Sequence, residues 1–281
     1  DQVQSTNSDT IVTTVTYTDG VYAFPFTTNT WFMYYDKSVF TDDDIKSFDT
    51  MLSKGKVSFP LSNSWYIQAF YAGNGCTLFG DGTDEAAGID FGGDKAAAVT
   101  NYLVDLVANP NFINDQDGAG IAGLRDGSVN AIFSGSWDAE SVKEALGDNY
   151  GVAALPAFTV DGNECQMKSF AGSKAIGVNP NCKDQEVAVA LALYLGSEVC
   201  QQIRFQTRGI APTNKNLITS EEVFSDEVTA AQNKEISEIC KLQPVIEAMG
   251  SYWTPAETMG KEIVQGDVND KNAEMIKNIV R

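Results

Sequence analysis

Three tryptophans stand where a helix should begin. Trp65 follows the polar pair Asn63-Ser64, Trp137 follows Ser134-Gly135-Ser136, and Trp253 lies in "MGSYWTPAE" just ahead of a proline. A sugar ring has an apolar face of C–H groups and a rim of hydroxyls. A site for it needs flat aromatic platforms with amide and carboxyl groups converging on them. Asn29, Asn63, Ser64, Asp138 and Glu257 are the polar residues that lie close to these indoles in sequence. One tryptophan at a helix mouth is explained as well by a hydrophobic staple or by packing, but three at similar corners favour platforms. The fourth, Trp31, sits in the apolar run "NTWFMYYDKSVF" and is expected in the core.

Other chemistries find less support. The chain has no histidine, which removes Ser-His-Asp and Cys-His catalysis and histidine metal sites. Glycoside hydrolysis needs a framed pair of carboxylates, whereas most acids here fall on helix caps and solvated helix faces. "GDGTDEAAG" lacks the GK[ST] of a phosphate loop, and "AGNG" and "DQDGAG" lack EF-hand spacing, so no cofactor is expected. The adjacent Tyr34 and Tyr35 of "MYYDK" could serve ferric iron, but on a strand they alternate, and packing explains them. Cys76, Cys165, Cys182, Cys200 and Cys240 show no CxxC spacing and are expected to be free. Cys182 and Cys200 flank a helix of about 18 Å, too long to bridge, and Cys200 with Cys240 is the pair least excluded. With 19 basic and 38 acidic residues the formal charge is −19, which argues against nucleic acid or an anionic membrane as partner.

The elements that must position the indoles alternate between strand and helix. Two extended runs around a Thr-Asp-Gly turn are expected over 12–28, with Pro25 arguing against a central strand. "TDDDIKSFDTMLSKG" reads as one helix capped by Asp42 or Asp43 and leading into the strand "KVSFP", and "NSWYIQAFYAGNG" as a helix entered at Asn63-Ser64. "DKAAAVTNYLVDLVANP" carries Val99, Tyr102, Leu103 and Leu106 on one face. Residues 130–133 read as a buried strand and 138–146 as a helix, which places Trp137 at a strand-to-helix corner of the kind where α/β folds bind ligands. "CQMKSFAGSKAIGVNP" reads as one long strand, followed by a helix pair, and the tail holds helices in "DEVTAAQNKEISEIC", "SYWTPAETMGKEIVQG" and "DVNDKNAEMIKNIVR".

Four stretches, "GVYAFPFTTNTWFMYYDKSVF", "SGSWDAESVKEALGDNYGVAALPAF", "MKSFAGSKAIGVNPN" and "MGSYWTPAETMGKEIVQGD", together resemble family 1 extracellular solute-binding proteins of bacterial ABC importers, nearest to maltose- and maltodextrin-binding members of Gram-positive gut bacteria. The resemblance runs in order from about residue 16 to the C-terminus. It implies an α/β, periplasmic-binding-protein-like two-lobe fold of type II, closed by hinge motion. Its first lobe is expected to be incomplete in this chain, because the family begins with roughly a hundred further residues. The implied divisions are 1–28 as the remnant of the N-terminal lobe and first crossing, 29–170 as the C-terminal lobe, 171–226 as an N-terminal segment and 227–281 as C-terminal helices.

The same resemblance implies that Trp137 is a stacking platform and that Trp65 and Trp253 are cleft aromatics. Asn29 matches a position where the well-studied maltose binder carries a sugar-contacting Glu, and Glu257 stands where it has an Arg. These departures leave glucan length and linkage open, and another oligosaccharide or another solute on the same fold stays open too. The implied partners are an oligosaccharide and an ABC permease. The full-length form is expected to be an extracellular, lipid-anchored monomer.

Overall fold

A computed structural model describes residues 2–268 apart from Asp19 and Asp117. All but the start of the helix expected over 267–281 lies outside the described residues. Two sheets organise the chain. The strands used below are β1 (Ala23–Asn29), β2 (Phe32–Asp36), β3 (Val57–Phe59), β4 (Phe112–Asn114), β5 (Ala131–Ser134), β6 (Tyr150–Ala153), β7 (Phe170–Gly177) and β8 (Lys241–Leu242). The helices are α1 (Ser64–Gly73), α2 (Gly93–Ala108), α3 (Ala139–Leu146), α4 (Gln185–Leu195), α5 (Glu198–Arg208), α6 (Glu227–Lys234) and α7 (Trp253–Gln265).

The larger sheet has the order β6-β2-β5-β3-β4, with β2 antiparallel to both neighbours and β3 parallel to both of its own. Helices cover both faces, so β2 reads as an unbroken apolar run. Trp31, Met33 and Tyr35 enter a core shared with α1, α2 and α7. Phe32 and Tyr34 enter a second core shared with α3 and α6. Trp31 is fully buried, as its sequence context implied.

The smaller sheet has the order β8-β7-β1. β7 and β1 run antiparallel from Gly172 opposite Asn29 to Gly177 opposite Ala23, and the register slips between Lys174 and Ala175, beside Pro25. Proline has no N–H to give a ladder, and the irregularity accommodates it. No strand pairs with the outer edge of β1 among the described residues. Nearby, α4 and α5 leave Val187, Leu191, Tyr194, Val199 and Ile203 exposed.

Three short links join the larger sheet and its helices to the smaller sheet. Thr30 and Trp31 connect β1 to β2, and Met167 to Ser169 lead from the hairpin 157–166 into β7. A π-helical turn, Glu235–Ile239, continues α6 and passes through Cys240 into β8.

Two local expectations needed correction. The helix expected after Thr41 is a 3-10 turn, Asp44–Lys46, followed by a separate helix, Phe48–Lys54. Ser47 rather than Asp42 or Asp43 caps that helix, its Oγ accepting from Thr50 N at 3.3 Å; Asp43 is paired with Lys46 instead, and reciprocal bonds between Thr41 and Asp44 close the turn ahead of the helix. The single strand expected from Cys165 is broken at 167–169, where the chain passes between sheets. All five cysteines are free.

Candidate functional site

The corner that carries Trp137 is built by β5 and α3. β5 ends at Ser134, a 3-10 turn spans Ser136–Asp138, and α3 follows at once. Ser134 Oγ donates to Asp138 Oδ2 at 2.5 Å, and Tyr34 donates its hydroxyl to the Gly135 carbonyl at 2.9 Å. Gly135 has an ordinary extended backbone, φ −101°, so conformational freedom is not what its glycine supplies. The indole of Trp137 is folded back over it, and a Cβ at Gly135 would lie 2.1 Å from the ring's Cζ3. Despite this support Trp137 remains 47% exposed.

Two further groups meet the ring. Trp65 approaches with centroids 6.0 Å apart and planes inclined by 34°. The Lys174 ammonium, carried from β7, stands 5.5 Å from the Trp137 centroid, within cation–π range. Trp65 is fixed at the start of α1, where Asn63 Oδ1 accepts from the Trp65 amide at 2.9 Å and Trp65 Nε1 donates to Gln243 Oε1 at 3.2 Å.

The other expected site residues take different positions. Ser64 is buried, and its carbonyl accepts from the Tyr252 hydroxyl at 2.8 Å, which ties the start of α1 to the start of α7. Trp253 is half-buried, edge-on to Phe170 and Tyr252. Glu257, one turn along α7, is exposed and paired with Lys261.

Trp137 contributes to two cavities. One, about 860 Å³, is also lined by Asn29, Phe26, Lys174 and Tyr150. Its cationic lining groups are Lys143, Lys174 and Arg208, and its anionic ones are Glu140, Asp226 and Glu227. The counts balance, so within a chain of net charge −19 this cavity suits a neutral polar ligand. The second, about 420 Å³, is lined by Asn63, Tyr66, Asp115, Ser134 and Asp138 on the other side of the corner. Burial raises the Asp115 carboxyl above its ordinary range, with the Gly120 amide opposing it. Burial, reinforced by the Asp138 charge, keeps the Tyr66 phenol protonated, so it can both donate and accept. Trp65, Ser64, Trp253 and Glu257 line neither cavity.

Tyr34 and Tyr35 cannot converge on one ion. They project from opposite faces of β2 into different cores, and burial raises both phenols. Sequence reasoning missed Lys174, Gln243, Tyr66 and Asp115. The first two arrive by strand pairing. Tyr66 and Asp115 are a helix residue and a loop residue with no local signature.

An exposed indole backed by a second indole lies in a charge-balanced cavity beside the junction of two sheets, an arrangement that suits a neutral ligand with an apolar face. The chain belongs to the bacterial extracellular solute-binding protein family, whose family model matches residues 1–232. It is 27% identical over 284 residues to a maltooligosaccharide ABC transporter solute-binding lipoprotein of Streptococcus pneumoniae, a match covering 94% of this chain and 66% of that protein. A galactooligosaccharide-binding protein of Bacillus subtilis is 26% identical over 289 residues, covering 96% of this chain and 68% of the relative. A solved structure with acarbose superposes with a TM-score of 0.95 at 56% identity, over 99% of this chain and 75% of that one. The chain thus spans about two thirds of the length of these curated relatives. Among the described residues no helix is long and apolar enough to cross a membrane.

Proposed function

We propose that this chain is the sugar-capturing part of an ABC importer and that it binds a maltooligosaccharide across Trp137, without catalysis. The observation that carries the reading is the Trp137 platform: a large indole supported by Gly135 and Trp65 yet 47% open, forming part of the walls of two cavities. A flat indole held open inside a concave wall, with polar groups around it, is the platform a sugar ring needs. The names of the relatives and the structure with acarbose support the ligand class. Asp115 accepts the Gly120 amide and Asp138 the Ser134 hydroxyl, so both acids brace the wall rather than standing free as a catalytic pair.

In this reading the divisions 29–170 and 227–281 make up the lobe of the larger sheet and 1–28 and 171–226 the other, with β8, which lies within 227–281, as the exception that pairs with β7 in the smaller sheet. The entry of Val228, Ala231, Tyr252, Ala256 and Met259 into the cores of the larger sheet supports that division. Asn29 and Asn63 supply hydrogen bonds from the two cavity walls, while Trp253, Ser64 and Glu257 shape the adjoining helix mouths. The partner is a membrane permease, and the protein works as a monomer held outside the cell by a lipid.

The test is a titration of intrinsic tryptophan fluorescence with maltotriose and, separately, with a galactooligosaccharide. A saturable change with maltotriose supports the reading. A response to the galactooligosaccharide alone moves the ligand to that class, and glucose released on incubation with maltotriose overturns the absence of catalysis.

A further inference from the structure

Glu235 is a carboxyl with no exposed surface, at the first position of the π-helical turn that follows α6. Its Oε1 lies 2.6 Å from Ser169 Oγ, and its Oε2 accepts from the Leu155 amide at 3.0 Å. Ser169 Oγ in turn lies 2.9 Å from Thr30 Oγ1, which lies 2.8 Å from the Phe170 carbonyl. Thr30 belongs to the link from β1 to β2, Ser169 to the link into β7, and Glu235 itself heads the link into β8. The Lys241 amide closes the set by donating to the Ser169 carbonyl at 2.8 Å. Directly or through Ser169, one side chain therefore reaches all three of these links. Each link continues into a residue of the site: Asn29 precedes Thr30, β7 carries Lys174 to the Trp137 ring, and β8 leads to Gln243 on Trp65.

The hydrogens in this chain can be counted. Three oxygen–oxygen contacts, Glu235 to Ser169, Ser169 to Thr30 and Thr30 to Phe170, need three hydrogens. The two hydroxyls supply one each. The Leu155 and Ser169 amides can only donate to the carboxyl, so neither supplies a hydrogen to the chain of oxygens, and the oxygen facing Ser169 Oγ, Oε1, is where a carboxyl proton would complete it. With Glu235 neutral, Oε1–H donates to Ser169, Ser169 to Thr30 and Thr30 to the carbonyl. With Glu235 ionised, one contact has no hydrogen, and a buried charge has no ion-pair partner among the described residues.

We propose that Glu235 is a proton-dependent brace for the ligand site: neutral, it locks the three links in register, and ionised, it breaks the chain and loosens the register of Asn29, Lys174 and Gln243 against Trp137 and Trp65. Glu235 is thus a positioning residue. Its titratable neighbours are Lys234, whose charge favours ionisation, and the Cys240 thiol, pushed up to about 12 by burial and then by Glu235. The strand links present the Ser169 and Thr30 hydroxyls and the Ser169 amide, and the turn after β6 presents the Leu155 amide. Burial pushes the Glu235 carboxyl up to about 7, against the lowering effect of the Ser169 and Leu155 donors. A pKa raised from about 4.3 in the unfolded chain means that the folded state holds the proton more tightly. Its contribution to stability is full below about 4.3, falls as pH rises from there to about 7, and is lost above it.

The sugar readout rests on the function proposed above; the proton readout does not. Carboxyl-carbon NMR of the glutamate-labelled protein should show Glu235 titrating near 7, and titration below 5 overturns the brace. Maltotriose affinity should fall by about threefold to tenfold between pH 5.5 and 8.5, as one linked proton allows. Glu235→Gln, whose amide supplies the missing hydrogen at every pH, should keep the low-pH affinity at pH 8.5 and flatten the profile. A Glu235→Gln profile as steep as the wild type overturns the proposal. Should the amide variant not fold, Ser169→Ala, which cuts the chain at its second oxygen, should also flatten the profile. A failure of maltotriose to bind at any pH overturns the sugar reading instead, and the NMR titration still decides the brace.

Discussion

Trp65 and Trp137 are held with ring centroids 6.0 Å apart and planes inclined by 34°, each at the mouth of a different helix. The first is fixed by a hydrogen bond from its own indole nitrogen to Gln243, the second by resting on Gly135. Neither ring is positioned by the other alone, so removing one leaves the second in place.

Trp137→Ala should therefore weaken maltotriose binding without unfolding the protein. The expected loss is about 2–4 kcal/mol, the scale of an aromatic hot spot, or about thirtyfold to a thousandfold in Kd. Calorimetry giving the same Kd for variant and wild type would remove Trp137 from the site.

Gly135→Ala tests the support beneath the ring. Its backbone geometry suits alanine, but the added methyl occupies the space of the Trp137 ring. The indole must swing away, so affinity should drop at least tenfold, about 1.4 kcal/mol, and the melting temperature should change little. An unaltered titration would mean that the ring moves freely when sugar binds.

Lys174→Met removes the ammonium from the Trp137 ring while keeping the length of the side chain. A sugar stacking on that face must displace the ammonium, an interaction worth about 0.5–1 kcal/mol at an exposed site. The variant should bind maltotriose about two- to fivefold more tightly. Weaker binding would assign Lys174 instead as a donor to sugar hydroxyls.

Trp31→Phe separates core from site. Trp31 is fully buried, and its Nε1 has no hydrogen-bond partner among the described residues. Losing ring volume costs stability, while losing an unsatisfied donor restores part of it. A net loss of about 1 kcal/mol in denaturant unfolding is expected, with maltotriose affinity within twofold of the wild type. A large affinity loss would show that the core under β2 is coupled to the cleft.

The site was partly legible in the sequence because some of its placements are local. Asn63 caps α1 and sets Trp65, and the Ser-Gly-Ser turn sets Trp137; both rest on hydrogen bonds or contacts within a few residues. Trp253 shared the helix-mouth signature, yet it turns towards Phe170 and Tyr252 because Tyr252, anchored on Ser64, draws that end of α7 against α1. Lys174 and Gln243 were invisible because their places depend on which strands pair and in what register. Glu235 reads as one more acid on an amphipathic helix. Only the π-helical widening there, and links from far along the chain, reveal that it is buried. The tandem of 3-10 turn and helix after Thr41 was missed because the reciprocal bonds between Thr41 and Asp44, and the reach of Lys54 back to Asp44 from ten residues on, close a separate turn that local cap signals do not show.

The close approach of Trp137 to Gly135 also limits the order in which a lineage could alter this corner. Any side chain at 135 collides with the indole, so a descendant that gains one first loses the platform before gaining anything in its place. If the indole shrinks first, position 135 is freed to drift. Families that exchange this platform for another ligand chemistry should then pass through a stage with glycine and no tryptophan, and the reverse pairing, tryptophan over a larger residue, should be missing from their history.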